Sequence, residues 1–333
     1  MSDLGARAPS TGETDTPFPA AIDPAVFGRL FSRSTAERII RKHLSQQPGL
    51  VSDASPAALN FDLPGFFALL RDRRWHHDEE IKFYADDRAG PSTDLWSKTI
   101  RPNGSLTLDS ILHLKANRTS IYVKRLELMV QEMRELAAAI SRSGYFTTTL
   151  SAMYSPAGAR STPNHIDTCD VLAVQLHGEK SWTVDDRPRV LNALPSQTDA
   201  RPDEWHFSNA TDVTTRVGDA LFIPRGVLHN AMASDVDSLH LVIGLSPLTW
   251  HDVLTRKLQD LCDTDPALRG SVLSATGPFG QHGAGQEVAA LLAGMASEES
   301  LTTLGKEAMR MRAYEYALNS DGQVFAKSID DLL

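Results

Sequence analysis

The chain has 333 residues, a formal net charge of −9 at pH 7, 41% hydrophobic residues and two cysteines. This length allows one large domain with an appendage, or two domains. The acidic balance argues against a general nucleic-acid binder, and two cysteines exclude a disulfide framework or a cysteine zinc cluster. Because no apolar run is long enough to cross a membrane and the polar N-terminus lacks a signal peptide's apolar segment, we expect a cytoplasmic protein.

The N-terminal part predicts helices with a few strands between them. Residues 1–22 are rich in Ser, Thr, Pro, Gly and Ala, which is typical of a flexible leader. Apolar spacing and punctuation by Pro and Gly predict helices over residues 27–40, 64–71, 106–112 and 129–141. Strands are predicted at residues 49–51 and 119–123, whereas residues 72–102 are charged and predicted to be irregular.

The pattern changes at Tyr145, where short strand-like segments begin to alternate with turns. Strands are predicted over residues 146–154, 169–175, 181–184, 214–217, 220–223 and 239–245. Residues 156–163 and 188–212 are predicted to be loops. Many short strands separated by turns predict a mainly β fold, an antiparallel barrel or jelly roll, with helices flanking it.

Helical patterns return after Pro247. Thr249 followed by Asp252 resembles a capping box, and apolar residues recur behind it at helical spacing. A glycine-rich linker is predicted over residues 277–285, with two helical stretches after it. We therefore expect a main domain over residues 23–247, a helical region over 248–276 and a small helical C-terminal region over 277–333.

Two short motifs supply the candidate site. In Pro163-Asn164-His165-Ile166-Asp167, strand alternation points the imidazole of His165 and the carboxylate of Asp167 to one face. His229, far along the chain, completes a set of two imidazoles and one carboxylate. Such a set holds iron(II) on one side and leaves positions open for oxygen and a co-substrate. The alternatives are satisfied structural histidines, or a cupin that binds another metal without redox chemistry.

A wider sequence pattern resembles one family. Residues 155–167 and 171–182, and then 218–229, are similar to the JmjC cupins of the ribosomal oxygenase group, most strongly over residues 151–245. Residues 265–269 resemble the region after the barrel in that group. The resemblance implies a double-stranded β-helix followed by helices, iron(II) and 2-oxoglutarate as cofactors, O2 as oxidant, and a homodimer formed through the helices after the barrel.

The resemblance also assigns residues to roles. His165, Asp167 and His229 match the iron ligands, and Lys180 matches the basic residue that pairs with the distal carboxylate of 2-oxoglutarate. Ser151 aligns with a polar position near the co-substrate that is often Asn in the family. Asn230 is expected to bind near the open coordination site. His240 matches a histidine on the last barrel strand and is expected either to contact the cofactor or to pack in the core. Cys169 is expected to be a small buried hydrophobe rather than a ligand.

The expected function is hydroxylation of an amino-acid side chain, at a β-carbon, in a peptide or protein. One candidate substrate is a ribosomal protein. The other is a precursor peptide of a ribosomally made natural product, because the region after residue 276 is short for the winged-helix module of the ribosomal enzymes. We expect no direct contact with nucleic acid or membrane. The alternative function is a non-catalytic metal-binding cupin that acts as a ligand-binding or scaffold protein.

Overall fold

The computed structural model describes most of the chain between residues 22 and 309. The described residues are 22–54, 59, 61–76, 79–85, 92–194, 205–270, 289–290, 293 and 303–309. The predicted leader therefore lies outside the described residues, except for its last residue. The same holds for the predicted linker and for most of the predicted C-terminal helical region.

Residues 303–309 are helical, and six α-helices before residue 270 flank the sheets in the described part of the chain. They are α1 (Arg33–Ser45), α2 (Leu63–Asp72), α3 (Thr93–Thr99), α4 (Leu108–Ala116), α5 (Gln131–Ser141) and α6 (Trp250–Thr264). The capping box predicted for α6 is confirmed, since Thr249 and Asp252 bond each other's backbone N–H groups. Among the described helices, none combines the length and the apolar character that a bilayer crossing requires.

The strands form two antiparallel sheets. In chain order they are β1 (Gly49–Val51), β2 (Ile81–Tyr84), β3 (Ser120–Val123), β4 (Phe146–Ser155), β5 (Arg160–His165), β6 (Asp170–His177), β7 (Glu179–Pro188), β8 (Ala210–Arg216), β9 (Ala220–Ile223), β10 (Val227–Ala233) and β11 (Ser238–Pro247). The larger sheet has the order β1-β9-β6-β11-β4-β3-β2, and the smaller has the order β5-β10-β7-β8. Sheet pairs of this kind form a jelly roll.

The larger sheet has two different faces because side chains alternate along each strand. On β4, Leu150, Ala152 and Tyr154 belong to the main hydrophobic core, which also contains apolar residues of α1, α2, α4 and α5. The side chains between them, Ser151, Met153 and Ser155, are directed to the opposite, inner face, as the bond from Lys180 of β7 to Ser155 shows. The inner face therefore lines the space between the two sheets.

A smaller apolar cluster lies between the two sheets, inside the barrel. Its buried members come from both sheets: Val171, Ala173, Leu221 and Ile223 from the larger, and Trp182, Val184, Val227 and Ala231 from the smaller. This cluster occupies only part of the inner space. The remaining inner positions carry the polar side chains of the candidate site.

The strand β10 is not among the predicted segments, and two further segments differ from the prediction. Residues 72–102 were predicted to be irregular, but they contain β2 and α3. Residues 156–163 were predicted to be a loop, but β5 begins at Arg160. Pro163 and the lack of apolar alternation hid β5, and both features are tolerated because β5 is an edge strand of the smaller sheet.

Candidate metal centre

Neighbouring strands bring the two histidines together. His165 at the end of β5 is the direct cross-strand partner of His229 on β10. Their ring centroids are 4.2 Å apart. Asp167 follows β5 by two residues, and its Oδ2 lies 3.8 Å from Nε2 of His165 and 3.5 Å from Nε2 of His229. One ligand atom from each of the three residues lies within 4.8 Å of the other two.

Hydrogen bonds fix both imidazoles in the ligand form. Nδ1 of His165 donates to the carbonyl of Pro163 at 2.9 Å, and Nδ1 of His229 donates to the carbonyl of Val227 at 3.0 Å. Because a carbonyl oxygen only accepts, the proton is on Nδ1 in each ring and the Nε2 lone pair of the neutral imidazole is free. Both Nε2 atoms face Asp167, so the donors fit a divalent metal ion.

The site is buried on one side and open on the other. The side chain of His229 is 3% exposed, whereas those of His165 and Asp167 are 32% and 35% exposed. Burial, with a further effect from nearby His165, lowers the pKa of His229 to about 4, which keeps this imidazole neutral. Two imidazoles and one carboxylate with an open side match the three-ligand iron(II) arrangement of non-haem oxygenases.

Lys180 lies deeper between the sheets and is completely buried. Its ammonium donates to the hydroxyl of Ser155 at 2.9 Å, and within the described residues no carboxylate is within ion-pair distance of it. Burial lowers the pKa of Lys180 to about 7. Lys180 and Val184 share a face of β7, and Val184 is the cross-strand partner of His229. Lys180 therefore lies roughly 13 Å along the strand from the level of His229.

Trp182 and His240 lie between the level of Lys180 and the level of His229. The Trp182 ring is 6.4 Å from the ring of His229 and 5.1 Å from that of His240. His240 is buried, and its Nδ1 has no hydrogen-bond partner among the described residues. Burial, together with the charge of Lys180, lowers the pKa of His240 well below its usual value. An unpaired imidazole nitrogen beside a buried ammonium indicates a space suited to a polar, anionic ligand.

The comparisons with known proteins agree with this geometry. Residues 127–253 match the family model of the JmjC domain. This segment is a JmjC domain. It runs from before β4 to beyond β11 and includes the three candidate ligands and Lys180. The family resemblance seen in the sequence is thereby confirmed.

Several curated proteins are similar to parts of the chain. The bifunctional lysine-specific demethylase and histidyl-hydroxylase NO66 of Dictyostelium discoideum is 38% identical over 112 residues, which cover 31% of this chain and 21% of that protein. Ribosomal oxygenase 2 of Bos taurus is 32% identical over 126 residues (35% and 26%). Ribosomal oxygenase 1 of Gallus gallus is 26% identical over 250 residues (70% and 39%). The matches therefore cover between a fifth and two fifths of these relatives.

Solved structures share the fold. The structure of E. coli ycfD has a TM-score of 0.51 at 13% sequence identity and covers 82% of this chain and 70% of that one. The same ribosomal oxygenase in complex with cobalt and succinic acid gives 0.50 at 13% identity, with 79% and 67% covered. The predicted fold class, a cupin jelly roll with flanking helices, is confirmed.

The structure places the other predicted residues of the JmjC domain at different distances from the candidate ligands. Ser151 is on the inner face, two residues along β4 from Met153, the cross-strand partner of Tyr122. Asn230 follows His229 directly, so it points to the opposite face of β10, where its amide donates to Asn164 Oδ1 at 2.8 Å. Because this placement turns Asn230 away from the ligands, we leave it out of the proposed cofactor site.

Cys169 is also close to the site. Its sulfur lies next to Gly244 of β11, because a Cβ at that position would be 3.3 Å from it. Burial, with a smaller effect from the charge of Asp167, raises the pKa of the Cys169 thiol. The side chain is partly buried and packs against the smaller apolar cluster, and we keep Cys169 outside the proposed ligand set.

Two tyrosines were missed in the sequence. Burial and the charge of Asp167 raise the pKa of Tyr84 to about 12, and burial also raises the pKa of Tyr122. Tyr122 is the cross-strand partner of the inward-facing Met153, and Tyr84 is two residues further along the register as the partner of Ser120, so both phenols are on the inner face. Alternation could have indicated Tyr122, which lies between the core residues Ile121 and Val123 of β3, whereas Tyr84 is the last residue of β2, which was not predicted as a strand.

Proposed function

We propose that this chain is an iron(II)- and 2-oxoglutarate-dependent oxygenase that hydroxylates an amino-acid side chain in a peptide or protein. The observation that carries the proposal is the convergence of two imidazole Nε2 atoms and one carboxylate within 4.8 Å. A completely buried lysine lies on the same inner face. The names of the relatives, which include ribosomal oxygenase and histidyl-hydroxylase, support the same class of reaction.

The proposed role of the triad is to hold iron(II) on one side of the cavity. His165, Asp167 and His229 supply the three donors, and the Nδ1–carbonyl bonds keep both rings in the correct tautomer and orientation. When bound, iron(II), 2-oxoglutarate and O2 together supply the oxidising power that replaces a C–H bond by C–OH, with release of succinate and carbon dioxide. No side chain of the site needs to act as an acid or base in that scheme.

Lys180 is proposed to pair with the distal carboxylate of 2-oxoglutarate. Within the described part of the chain, the side-chain partner of this buried ammonium is a hydroxyl, which is a costly arrangement, and a carboxylate would supply an opposite charge. Ser155 would keep its bond to Lys180, and the unpaired Nδ1 of His240 is available to a second polar group. We include Ser151 in the same pocket, because it shares the inner face with Ser155.

The exposed side of the triad is the proposed substrate entrance. His165 and Asp167 are about one-third exposed, whereas His229 and Lys180 are buried behind them. A peptide side chain that reaches the metal from this side would leave Trp182 and Met153 to exclude water from the deeper pocket. This access fits a side chain that projects from a larger molecule.

The substrate is proposed to be a ribosomal protein, because the similar curated proteins include ribosomal oxygenases from two vertebrates. A precursor peptide of a natural product is the other outcome that a substrate screen can give. Incubation with ribosomal proteins from the source organism and with peptides encoded beside this gene, followed by mass spectrometry for a gain of one oxygen atom, distinguishes the two.

The activity itself is tested without knowing the substrate. Anaerobic addition of iron(II) and 2-oxoglutarate to the protein should produce a weak visible charge-transfer band, and slow uncoupled turnover in air should release succinate. A protein that shows no band, and no succinate with any peptide, would be a non-catalytic cupin instead.

We also propose that α6 mediates a homodimer. Trp250, Leu254 and Leu258 recur at helical spacing and are each at least 38% exposed, an unusual arrangement for apolar side chains. Light scattering should give twice the monomer mass, and Leu254→Glu with Leu258→Glu should give the monomer. A monomeric parent protein would contradict this part of the proposal.

A further inference from the structure

We infer that His43 and Asp170 form a clamp that positions the metal centre from outside the barrel. The clamp connects helix α1 to the turn that precedes β10, and it thereby sets the spacing between Asp167 and His229. Neither residue touches the proposed metal position, so both would be positioning residues. This inference rests on the proposed metal site and adds a requirement to it.

The first half of the clamp is a buried contact between α1 and β6. Nδ1 of His43 lies 2.5 Å from Oδ2 of Asp170, and the two side chains are 10% and 0% exposed. Three aromatic rings hold the imidazole at their edges, those of Phe146, Tyr145 and Phe222, with centroids 5.2, 6.3 and 6.4 Å away. The ring therefore has little freedom to turn away from the carboxylate.

The second half joins Asp170 to the turn between β9 and β10. Its other oxygen, Oδ1, accepts the backbone N–H of Arg225 at 2.9 Å. The next residue, Gly226, donates its N–H to the carbonyl of Asp167 at 2.8 Å. The carboxylate of Asp170 and the carbonyl of Asp167 thus accept two successive amides of the turn. His229 follows the second of these amides by three residues.

The turn itself has little room to adapt. Gly226 has a φ of +79°, and a Cβ at this position would overlap the carbonyl of Val190. The carbonyl of Gly226 accepts the N–H of Arg189 at 2.6 Å. Because the turn is fixed on both sides, a shift of Asp170 would move the start of β10 as a unit, and His229 with it.

Charge explains why the clamp needs both partners. Asp170 is completely buried, and the described contacts that compensate its two oxygens are the His43 ring and the Arg225 amide. Without the imidazole, one oxygen of a buried carboxylate would lack its donor, and such a group recruits water or moves its surroundings. The movement would begin at the first residue of β6, three residues after Asp167.

The test is a graded series at position 43. His43→Asn places an amide N–H close to the position of Nδ1, His43→Gln places it one bond too far, and His43→Leu removes it. Ile40→Ala is the matched control, because Ile40 is a buried core residue of the same helix and has no role in the clamp. The measurements are the Mn(II) dissociation constant by calorimetry, the melting temperature without metal, and amide hydrogen exchange over residues 224–229.

We expect His43→Asn to bind Mn(II) within about threefold of the parent, and His43→Gln and His43→Leu to bind at least tenfold more weakly with faster exchange in the turn. Ile40→Ala should melt at a lower temperature but keep its Mn(II) affinity. Should His43→Leu not fold, the contrast between Asn and Gln decides.

Equal Mn(II) affinity in all position 43 variants overturns the clamp and leaves the proposed function intact. The same holds if affinity simply follows melting temperature, with Ile40→Ala included. A parent protein that binds no Mn(II) or iron(II) overturns the proposed function, and the clamp with it.

Discussion

The two faces of the seven-stranded sheet are built from the same strands, but the side chains of one face have complete contacts and some of those of the other do not. On the outer face, residues such as Leu241 and Ile243 are completely buried against the helices, and their apolar contacts are complete. On the inner face, among the residues that the structure describes, Nδ1 of their neighbour His240 has no hydrogen-bond partner, and the ammonium of Lys180 across the cavity bonds to a hydroxyl.

This contrast separates stability from function. Apolar burial on the outer face contributes directly to the folding free energy, whereas an unpaired imidazole and a buried ammonium reduce it. A protein retains such groups where a ligand completes them. We therefore expect outer-face substitutions to change stability, and inner-face or ligand-strand substitutions to change binding.

The largest effect is expected at His229. His229→Ala leaves one imidazole and one carboxylate, which hold iron(II) poorly, and it removes the buried member of the triad. Metal binding by calorimetry and succinate production should both fall below detection, while circular dichroism should show an unchanged sheet content. A variant that still released succinate at the parent rate would exclude His229 as a ligand.

The next test uses two neighbours on β11. Leu241→Ala should destabilise the protein by about 2–5 kcal/mol in urea unfolding, because it leaves a cavity in the outer core. His240→Leu replaces a buried imidazole that has an unpaired nitrogen, so stability should be nearly unchanged or rise.

The same two variants should give the opposite order in 2-oxoglutarate binding. We expect His240→Leu to weaken the affinity for 2-oxoglutarate about three- to tenfold. Leu241→Ala should leave this affinity within about twofold of the parent value. If the affinity changed more in Leu241→Ala, the two faces would not be independent, and the proposed division between them would be wrong.

The convergence of the three candidate ligands was predictable because two imidazoles and one carboxylate are a set that one metal ion can use. His165 and Asp167 are two positions apart on one extended segment, so a local rule brings them together. His229 needed the second motif, and the register of β5 against β10 then placed it opposite His165. The jelly roll was predictable for a similar reason, since short strands and turns alternate along one continuous region.

The rest of the site depends on contacts that no local pattern contains. Tyr84 lies on β2, whose four residues are too few to show alternation. His43 is 127 residues before Asp170, and within α1 it looks like a basic residue near a helix C-terminus. Asn230 was expected beside the open coordination site because it adjoins a ligand in sequence, but the pleat of β10 directs it to the other face.

The pH dependence of co-substrate binding tests the inner face directly. Burial lowers the pKa of Lys180 to about 7 in the empty protein, and a bound dicarboxylate would keep the ammonium charged. Binding then takes up a proton above pH 7, so the dissociation constant of 2-oxoglutarate should rise between pH 7 and 9, by at most about tenfold per pH unit. Calorimetry in buffers of different ionisation enthalpy measures this uptake.

Protonation of Lys180 should also make the stability of the protein depend on pH, but stability should rise with pH where 2-oxoglutarate binding weakens. An unfolded lysine has a pKa of about 10.4, so between pH 7 and 10.4 the unfolded chain holds a proton that the native protein has lost. Unfolding free energy should therefore increase with pH across this window, by at most about 1.4 kcal/mol per pH unit. Lys180→Met should remove this dependence and weaken 2-oxoglutarate at least tenfold; a pH profile identical to the parent would rule out Lys180 as its source.

The smallest effect is expected at Asn230, and it tests how far the separation of faces extends to the smaller sheet. Asn230→Ala removes one hydrogen bond to Asn164, which in turn donates to the carbonyl of Trp205 at 2.9 Å. A bond of this kind contributes about 0.5–1.5 kcal/mol to stability. Because the amide points away from the ligands, Mn(II) and 2-oxoglutarate affinities should stay within about threefold of the parent. A tenfold loss of 2-oxoglutarate affinity with normal stability would place the Asn230 amide in the co-substrate pocket, and strand alternation would then be no guide to function on β10.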